Sequence, residues 1–208
     1  MRTCAYIDGF NLYYGATKGT PYRWLDVGKF CKFMLPGHSV LNIKYYTARV
    51  SAQPHDPNQP VRQQTYLRAL STIPNLSIVY GHFLTHEVTA LLATCQPGGP
   101  ATARVLRTEE KGSDVNLATH LLWDGIKDVY DVAAVVSNDS DLLEPIRIAK
   151  LELGKRIIVI NPHKDKPSRQ LRQIADEFKT IKPATLAACQ FPATLTDAHG
   201  SFSKPPTW

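Results

Sequence analysis

The sequence lacks the marks of several protein classes. It has only four cysteines, Cys4, Cys31, Cys95 and Cys189, which are widely scattered and form no CxxC or Cys/His cluster. A disulfide framework or a zinc site is therefore not expected, and a reducing cytoplasm fits this cysteine usage. No apolar run reaches the about 18 residues of a membrane-spanning helix, and the apolar stretch before Asp8 is too short for a signal peptide. We expect a cytoplasmic protein without a membrane partner.

Motifs for two common kinds of phosphate chemistry are also missing. No GxxxxGK[ST] loop is present, which excludes nucleotide hydrolysis of the P-loop kind. An aspartyl-phosphate enzyme of the haloacid dehalogenase type would have a second aspartate two residues after the first, but Asp8 is followed by Gly9 and Phe10. There is no internal repeat and no low-complexity block.

The composition is that of a globular protein with a moderate positive charge. Of the 208 residues, 43% are hydrophobic and 20% charged, and the formal net charge is +6. Such an excess favours polyanionic partners such as nucleic acid. A basic protein without such a partner remains the alternative.

Strand and helix patterns alternate along the chain, which predicts an α/β fold with a mostly parallel sheet. The stretch 83–107 matches neither pattern, and "CQPGGPATA" within it is typical of a loop or an irregular hairpin tip. We predict one domain over 1–182 and an extended or disordered tail over 183–208. The predicted strands are 3–7, 40–50, 76–81, 131–137 and 155–161, and the predicted helices are 24–35, 60–73, 113–129, 140–154 and 167–181.

Four aspartates are expected at one edge of this sheet. Asp8 follows the first strand, Asp114 begins a helix, and Asp139 and Asp141 follow the fourth strand. Like charges about 4 Å apart repel by roughly 4 kcal/mol at an effective dielectric constant of 20. Carboxylates that converge in this way are typical ligands of Mg²⁺ or Mn²⁺. Helix capping is the alternative for Asp114 and Asp141; it explains Asp139 less well and Asp8 least.

Several neighbours are candidates for binding a phosphate group. Asn11, Lys111, Ser137 and Asn138 stand beside the aspartates, although turn or cap chemistry and a solvated lysine explain them as well. Basic residues follow the fifth strand and can track a phosphate backbone or simply face solvent; they are Lys164, Lys166, Arg169 and Arg172. Aromatic residues near the first loop can stack bases or pack in the core; they are Tyr13, Tyr14, Tyr22 and Trp24.

Three segments together resemble the NYN domain, within the PIN-like nuclease superfamily and closest to its LabA-like branch. They are "YIDGFNLYYG", "KGSDVNLATHLLWDG" and "DVAAVVSNDSDLLEPIRIAKLELGKRIIVI", and the likeness covers about residues 1–180. Two departures stand out. Asn138 occupies a position where many relatives have glycine, and the segment around "TCQPGGPATA" matches no family pattern.

The resemblance implies a Rossmann-like three-layer α/β/α fold, PIN-like, with strand order 3-2-1-4-5. It also implies a metal-dependent ribonuclease that hydrolyses phosphodiester bonds of RNA, expected to be single-stranded, and a homodimer is possible. Asp8, Asp114 and Asp139 would hold Mg²⁺ or Mn²⁺, and Asp141 would complete the catalytic set. A non-catalytic or regulatory RNA-binding module and a phosphatase of small molecules remain the alternatives.

Overall fold

The structure is a computed structural model that describes residues 1–54, 56–94, 98–206 and 208. Its centre is a six-stranded sheet of order β3-β2-β1-β6-β7-β8, in which every neighbouring pair runs parallel. The strands of this sheet are β1 (Arg2–Asp8), β2 (Ser39–Thr47), β3 (Leu76–Tyr80), β6 (Val132–Val136), β7 (Arg156–Asn161) and β8 (Glu177–Thr180).

Helices cover both faces of the sheet, as a parallel sheet requires. The helices are α1 (Gly9–Leu12), α2 (Val27–Met34), α3 (Gln59–Leu70), α4 (Ser113–Ile126), α5 (Leu143–Leu151), α6 (Arg169–Ile174) and α7 (Pro183–Ala188). One core packs α2, α3 and α7 against one face, and a second core packs α4, α5 and α6 against the other. All five residues of β6 are buried.

These layers bear out the α/β fold with a mostly parallel central sheet. Among the described residues, no helix is long and apolar enough to cross a membrane.

The predicted helix over 167–181 is wrong. Helix α6 ends at Ile174, and the chain then extends into β8, where Phe178 pairs with Val159 of β7. Apolar residues in this segment allow a helical pattern, but the exposed backbone edge of β7 offers parallel hydrogen bonds that a longer helix would leave unmade. The sheet therefore has a sixth strand, and its order differs from the predicted five-strand order.

The segment 183–208, predicted as extended or disordered, has regular structure where it is described. Helix α7 is followed by the antiparallel hairpin of β9 (Thr194–Asp197) and β10 (Gly200–Ser203). Leu186 and Phe191 are buried in the same core as Trp24, whose indole N–H donates to the Pro192 carbonyl at 2.8 Å. A few apolar residues dock onto the domain here, which periodicity does not reveal.

The weakly patterned stretch 83–107 belongs to a regular hairpin. Strands β4 (His82–Leu91) and β5 (Thr102–Lys111) pair antiparallel over ten residues each, apart from the main sheet. Both strands are largely exposed, so neither shows the alternation of apolar and polar residues that marks a half-buried strand. Residues 95–97 of the predicted loop lie outside the described part of the chain.

A buried polar cluster joins α4 to the sheet. The carboxylate of Asp124 in α4 accepts hydrogen bonds from the Tyr6 hydroxyl at 2.7 Å and from the Lys44 ammonium at 2.6 Å. Tyr6 lies on β1 and Lys44 on β2, so this one carboxylate ties the helix to two central strands. Because charge taken out of water is costly unless it is paired, the three groups stabilise the fold only together.

We expect Asp124→Ala to lower the free energy of unfolding by about 3–5 kcal/mol, the usual cost of removing one partner of a buried ion pair. Urea denaturation measures the change. Glu144→Ala removes an exposed helix ion pair with Arg147 and is the control, with an expected loss of about 1 kcal/mol or less. Equal losses in the two variants would contradict the role given to Asp124.

Candidate acidic site at the strand ends

Asp8 is placed where the strand order switches from one side of β1 to the other. It is the last residue of β1, and the strands that follow in the chain lie on the β2 side while β6 and β7 lie on the other. Ligands of parallel α/β sheets bind at this kind of switch point, outside the carboxyl ends of the strands. Asp8 is 5% exposed, and its position therefore needs specific partners.

Two donors hold the Asp8 carboxylate. Its Oδ1 accepts from the Asn11 backbone N–H at 2.9 Å, which caps α1, and its Oδ2 accepts from the Ser137 hydroxyl at 3.0 Å. Gly9 is required beside it, because a Cβ there would lie 2.6 Å from the Tyr46 carbonyl oxygen. Burial raises the pKa of Asp8 and outweighs the opposing effect of the two hydrogen bonds.

The loop after β6 is tied to the same point. The Ser137 hydroxyl accepts from the Asp139 backbone N–H at 3.1 Å, and the Asn11 side-chain oxygen accepts from the Asn138 N–H at 3.0 Å. The Asn138 side chain accepts from the Ser168 N–H at 2.7 Å. These predicted phosphate-binding residues thus hydrogen-bond the protein itself, and Ser137 is fully buried.

Asp139 and Asp141 differ in their surroundings. The Asp139 Oδ1 accepts from the Asp141 backbone N–H at 3.0 Å and caps a 3₁₀ turn over Ser140–Leu142. Asp139 is half-buried and faces the cavity described below, whereas Asp141 is exposed and does not line it. The two carboxylates therefore lie in different environments, that of Asp139 at the cavity and that of Asp141 in solvent.

The β4–β5 hairpin brings in a carboxylate that the sequence analysis missed. Glu110 of β5 accepts from the Ser113 hydroxyl at 2.6 Å and from the Ser113 N–H at 3.1 Å, at the start of α4. Gly112 between them has φ +94°, and a Cβ on Gly81 would collide with the Glu110 Oε1. The stretch "EEKGSD" carried the signal, but without an assigned strand the direction of Glu110 could not be predicted.

Four carboxylates line one open cavity of about 310 Å³ at this edge, which we call the acidic cavity; they are those of Asp8, Glu110, Asp114 and Asp139. Asn11, Phe10 and Tyr14 complete one side of it. Burial and then the charges of Asp8, Asp139, Glu110 and Asp141 raise the pKa of Asp114 to about 6. The acids therefore act on one another electrostatically.

The donor set of the acidic cavity suits a hard divalent cation in its chemistry, since all four side chains offer carboxylate oxygens. Among the described residues, however, no group of three or more such side chains is arranged closely enough to hold a metal ion. Mg²⁺ keeps several of its waters and commonly binds proteins through one or two carboxylates. The cavity fits that mode of binding and not a closed protein cage.

The basic candidates lie outside the acidic cavity. Lys111 pairs with Glu109, with 2.8 Å between its Nζ and the carboxylate Oε2. Arg169 and Arg172 are exposed on α6, and the Arg172 guanidinium lies 5.9 Å from the centre of the Phe178 ring. Of the aromatic candidates, Trp24 is a core residue, whereas Tyr14 is 55% exposed and borders the acidic cavity.

The protein is an α/β protein whose parallel sheet has carboxylates gathered at its switch point. The family model of the NYN domain matches residues 2–182, and the chain belongs to that family.

Two further similarities bear on fold and activity. The chain is 29% identical over 240 aligned residues to 6-hydroxy-3-succinoylpyridine 3-monooxygenase HspA of Pseudomonas putida (strain DSM 28022 / S16), and the match covers 100% of this chain and 75% of the relative. A crystal structure of a protein of unknown function from Vibrio parahaemolyticus RIMD 2210633 superposes with a TM-score of 0.55 at 18% identity, and the match covers 88% of this chain and 93% of that one. The second likeness shows the fold alone.

We expect Asp114→Asn to stabilise the metal-free protein above about pH 6 and to give no gain below about pH 4. The raised pKa means that the folded state binds more protons than the unfolded state between the ordinary value of 3.8 and about 6. Wild-type stability therefore falls as the pH rises through this window. Urea denaturation in EDTA at several pH values measures the difference.

A gain that is independent of pH would contradict this account. Carboxyl NMR titration of Asp139→Asn supplies a second check, because removing that charge should lower the pKa of Asp114.

Proposed function

We propose that the protein is a metal-dependent endoribonuclease that hydrolyses phosphodiester bonds of RNA at the acidic cavity. The observation that carries this proposal is the gathering of Asp8, Glu110, Asp114 and Asp139 around one open cavity at the switch point of the sheet. The nuclease-like fold of the NYN family supports it. Asp8 and Asp139 also cap local turns, but capping alone does not account for four carboxylates around one cavity.

Asp8, Asp114 and Asp139 are the residues that would hold Mg²⁺ or Mn²⁺, one or two of them directly and the others through water. Such an ion polarises a phosphoryl oxygen and lowers the pKa of bound water. Asp8 is suited to this role, because hydrogen bonds from Asn11 and Ser137 fix the orientation of its carboxylate and leave lone pairs on both oxygens. Asp141 does not line the acidic cavity, and its proposed role is to orient the water molecules bound to the metal ion.

The substrate we propose is single-stranded RNA. The open cavity and the exposed ring of Tyr14 at its border support an unpaired strand, since bases of such strands stack on aromatic side chains. Lys111, Arg169 and Arg172 are proposed contacts of the phosphate backbone outside the cavity. Membership of the LabA-like branch, a cytoplasmic location and a homodimer stay predictions.

A second candidate function is monooxygenation of a small heteroaromatic compound. It is favoured by the similarity to a curated 6-hydroxy-3-succinoylpyridine 3-monooxygenase along the whole chain. A monooxygenase places one oxygen atom of O₂ in its substrate and reduces the other to water with two electrons from a reductant. Oxygen uptake in the presence of that pyridine and a reduced nicotinamide or flavin tests this candidate, and wild-type protein without any uptake would exclude it under those conditions.

We expect wild-type protein to cleave single-stranded RNA with Mg²⁺ or Mn²⁺ and not with EDTA. Asp139→Asn should lower the cleavage rate at least about 100-fold, because it removes a charge that would stabilise the metal at the reacting phosphate. Labelled single-stranded and structured RNAs are compared on gels with identically purified proteins.

Asp165→Asn is the matched control, since it makes the same change in an exposed residue of a loop that does not line the acidic cavity. Equal cleavage by wild type and Asp139→Asn would indicate a contaminating ribonuclease and contradict the proposal. RNA binding without cleavage in both would favour the non-catalytic RNA-binding module instead.

A further inference from the structure

A second cavity lies beside α1, and no acidic side chain is among its described lining residues. Six aromatic side chains line it, and we call it the aromatic cavity; they are Phe10, Tyr13, Tyr14, Tyr45, Tyr66 and Trp208. Phe10 and Tyr14 also border the acidic cavity, so a single helical segment forms a wall of both. Tyr13 and Tyr14 begin a π-helical turn over Tyr13–Thr17, a feature found often at functional sites.

The aromatic cavity has room for more than a single water. The space open to the centres of water molecules is about 90 Å³, several times the about 10–15 Å³ that one water needs. The aromatic walls favour a planar occupant, because rings gain from stacked or edge-to-face contacts beyond the burial of their area.

The described charged side chains of the cavity wall are both cationic, which favours an anion. Arg23 and Arg62 are the only charged side chains among the described residues that line it. Arg62 also pairs with Asp56, which does not line the cavity. Guanidinium groups bind carboxylate and phosphate oxygens through paired hydrogen bonds. The carboxylates of the acidic cavity would repel the same oxygens, so an anionic group would bind nearer to Arg23 and Arg62.

The Tyr45 hydroxyl is available to a polar group on the ring. Tyr45 is 6% exposed and lines the cavity, and none of the described residues hydrogen-bonds its hydroxyl. By contrast, the Tyr66 hydroxyl donates to the Leu25 carbonyl at 2.9 Å. A tyrosine hydroxyl can donate and accept a hydrogen bond, so on a cavity wall it can bond to water or to a ligand. A ring nitrogen or a ring oxygen substituent is the partner that a planar occupant would offer.

We infer that the aromatic cavity binds a planar heteroaromatic ring that carries an anionic group. A nucleotide of an RNA chain and a free heteroaromatic acid share this chemistry, and the experiment separates them. The site depends on neither activity proposed above, because its walls contain none of the carboxylates of the acidic cavity.

Binding is measured by calorimetry and by quenching of tryptophan fluorescence, with EDTA present so that no divalent cation takes part. The probes are adenosine and uridine 5′-monophosphates and 6-hydroxynicotinate. Nicotinamide lacks the charge and cyclohexanecarboxylate lacks the planar ring. We expect saturable binding of at least one heteroaromatic anion and at least about tenfold weaker binding of both comparison compounds. A tenfold change in Kd corresponds to about 1.4 kcal/mol of binding free energy.

Two variants locate the site. Tyr45→Phe removes only the hydroxyl and should weaken binding about 5- to 10-fold, the effect of one lost hydrogen bond. Val50→Trp places a large ring in the cavity that Val50 lines and should abolish binding. Tyr80→Phe makes the same change as the first variant at a tyrosine outside the cavity and should leave binding unchanged.

Tighter binding of a nucleotide would assign the ring to RNA, and tighter binding of 6-hydroxynicotinate would assign it to a free acid. The inference is overturned if no anion binds saturably at millimolar concentration, or if Tyr45→Phe binds as the wild type does. Circular dichroism checks the fold of Val50→Trp, and if that variant does not fold, Tyr45→Phe decides alone.

Discussion

The buried carboxylate of Asp8 is the constraint on which the arrangement of the site depends. It ends the central strand β1 next to β6, and it accepts hydrogen bonds from Asn11 of α1 and from Ser137 of the loop after β6. The Ser137 hydroxyl in turn accepts from the Asp139 N–H. One charge thus fixes two segments, and the cost of burying it is offset only while those donors are in place. The neighbouring acids are positioned around this centre.

Part of this arrangement could be predicted from the sequence, because it follows from local rules. The buried strands are short apolar runs, and the aspartates after β1 and β6 must meet at one sheet edge wherever the strands are parallel and adjacent. Helix α4 begins close to the predicted position because Gly112 takes a left-handed conformation that favours glycine. Such features need no knowledge of distant contacts.

The features that the sequence did not reveal depend on contacts between distant segments. β8 forms because the edge of β7 is available, and the segment after Lys182 is ordered by docking Leu186 and Phe191 beside Trp24. Glu110 reaches the acidic cavity through an exposed hairpin without apolar alternation. The side chains of Asn11 and Asn138, predicted to bind phosphate, also hydrogen-bond the backbone of neighbouring loops. Local patterns carry no information on such pairings.

The NYN family model and the similarity to a protein named a monooxygenase suggest different chemistry, and the chain has two cavities with different walls. α1 and the turn after it separate a wall of carboxylates from a wall of aromatic rings. The central proposal is that Asp8, Asp114 and Asp139 hold a divalent cation, directly or through water. Anomalous diffraction from crystals grown with Mn²⁺ tests it most directly. The account predicts a manganese peak among these three carboxylates that is lost in Asp139→Asn; at saturating Mn²⁺, no peak there or a peak only elsewhere would contradict it.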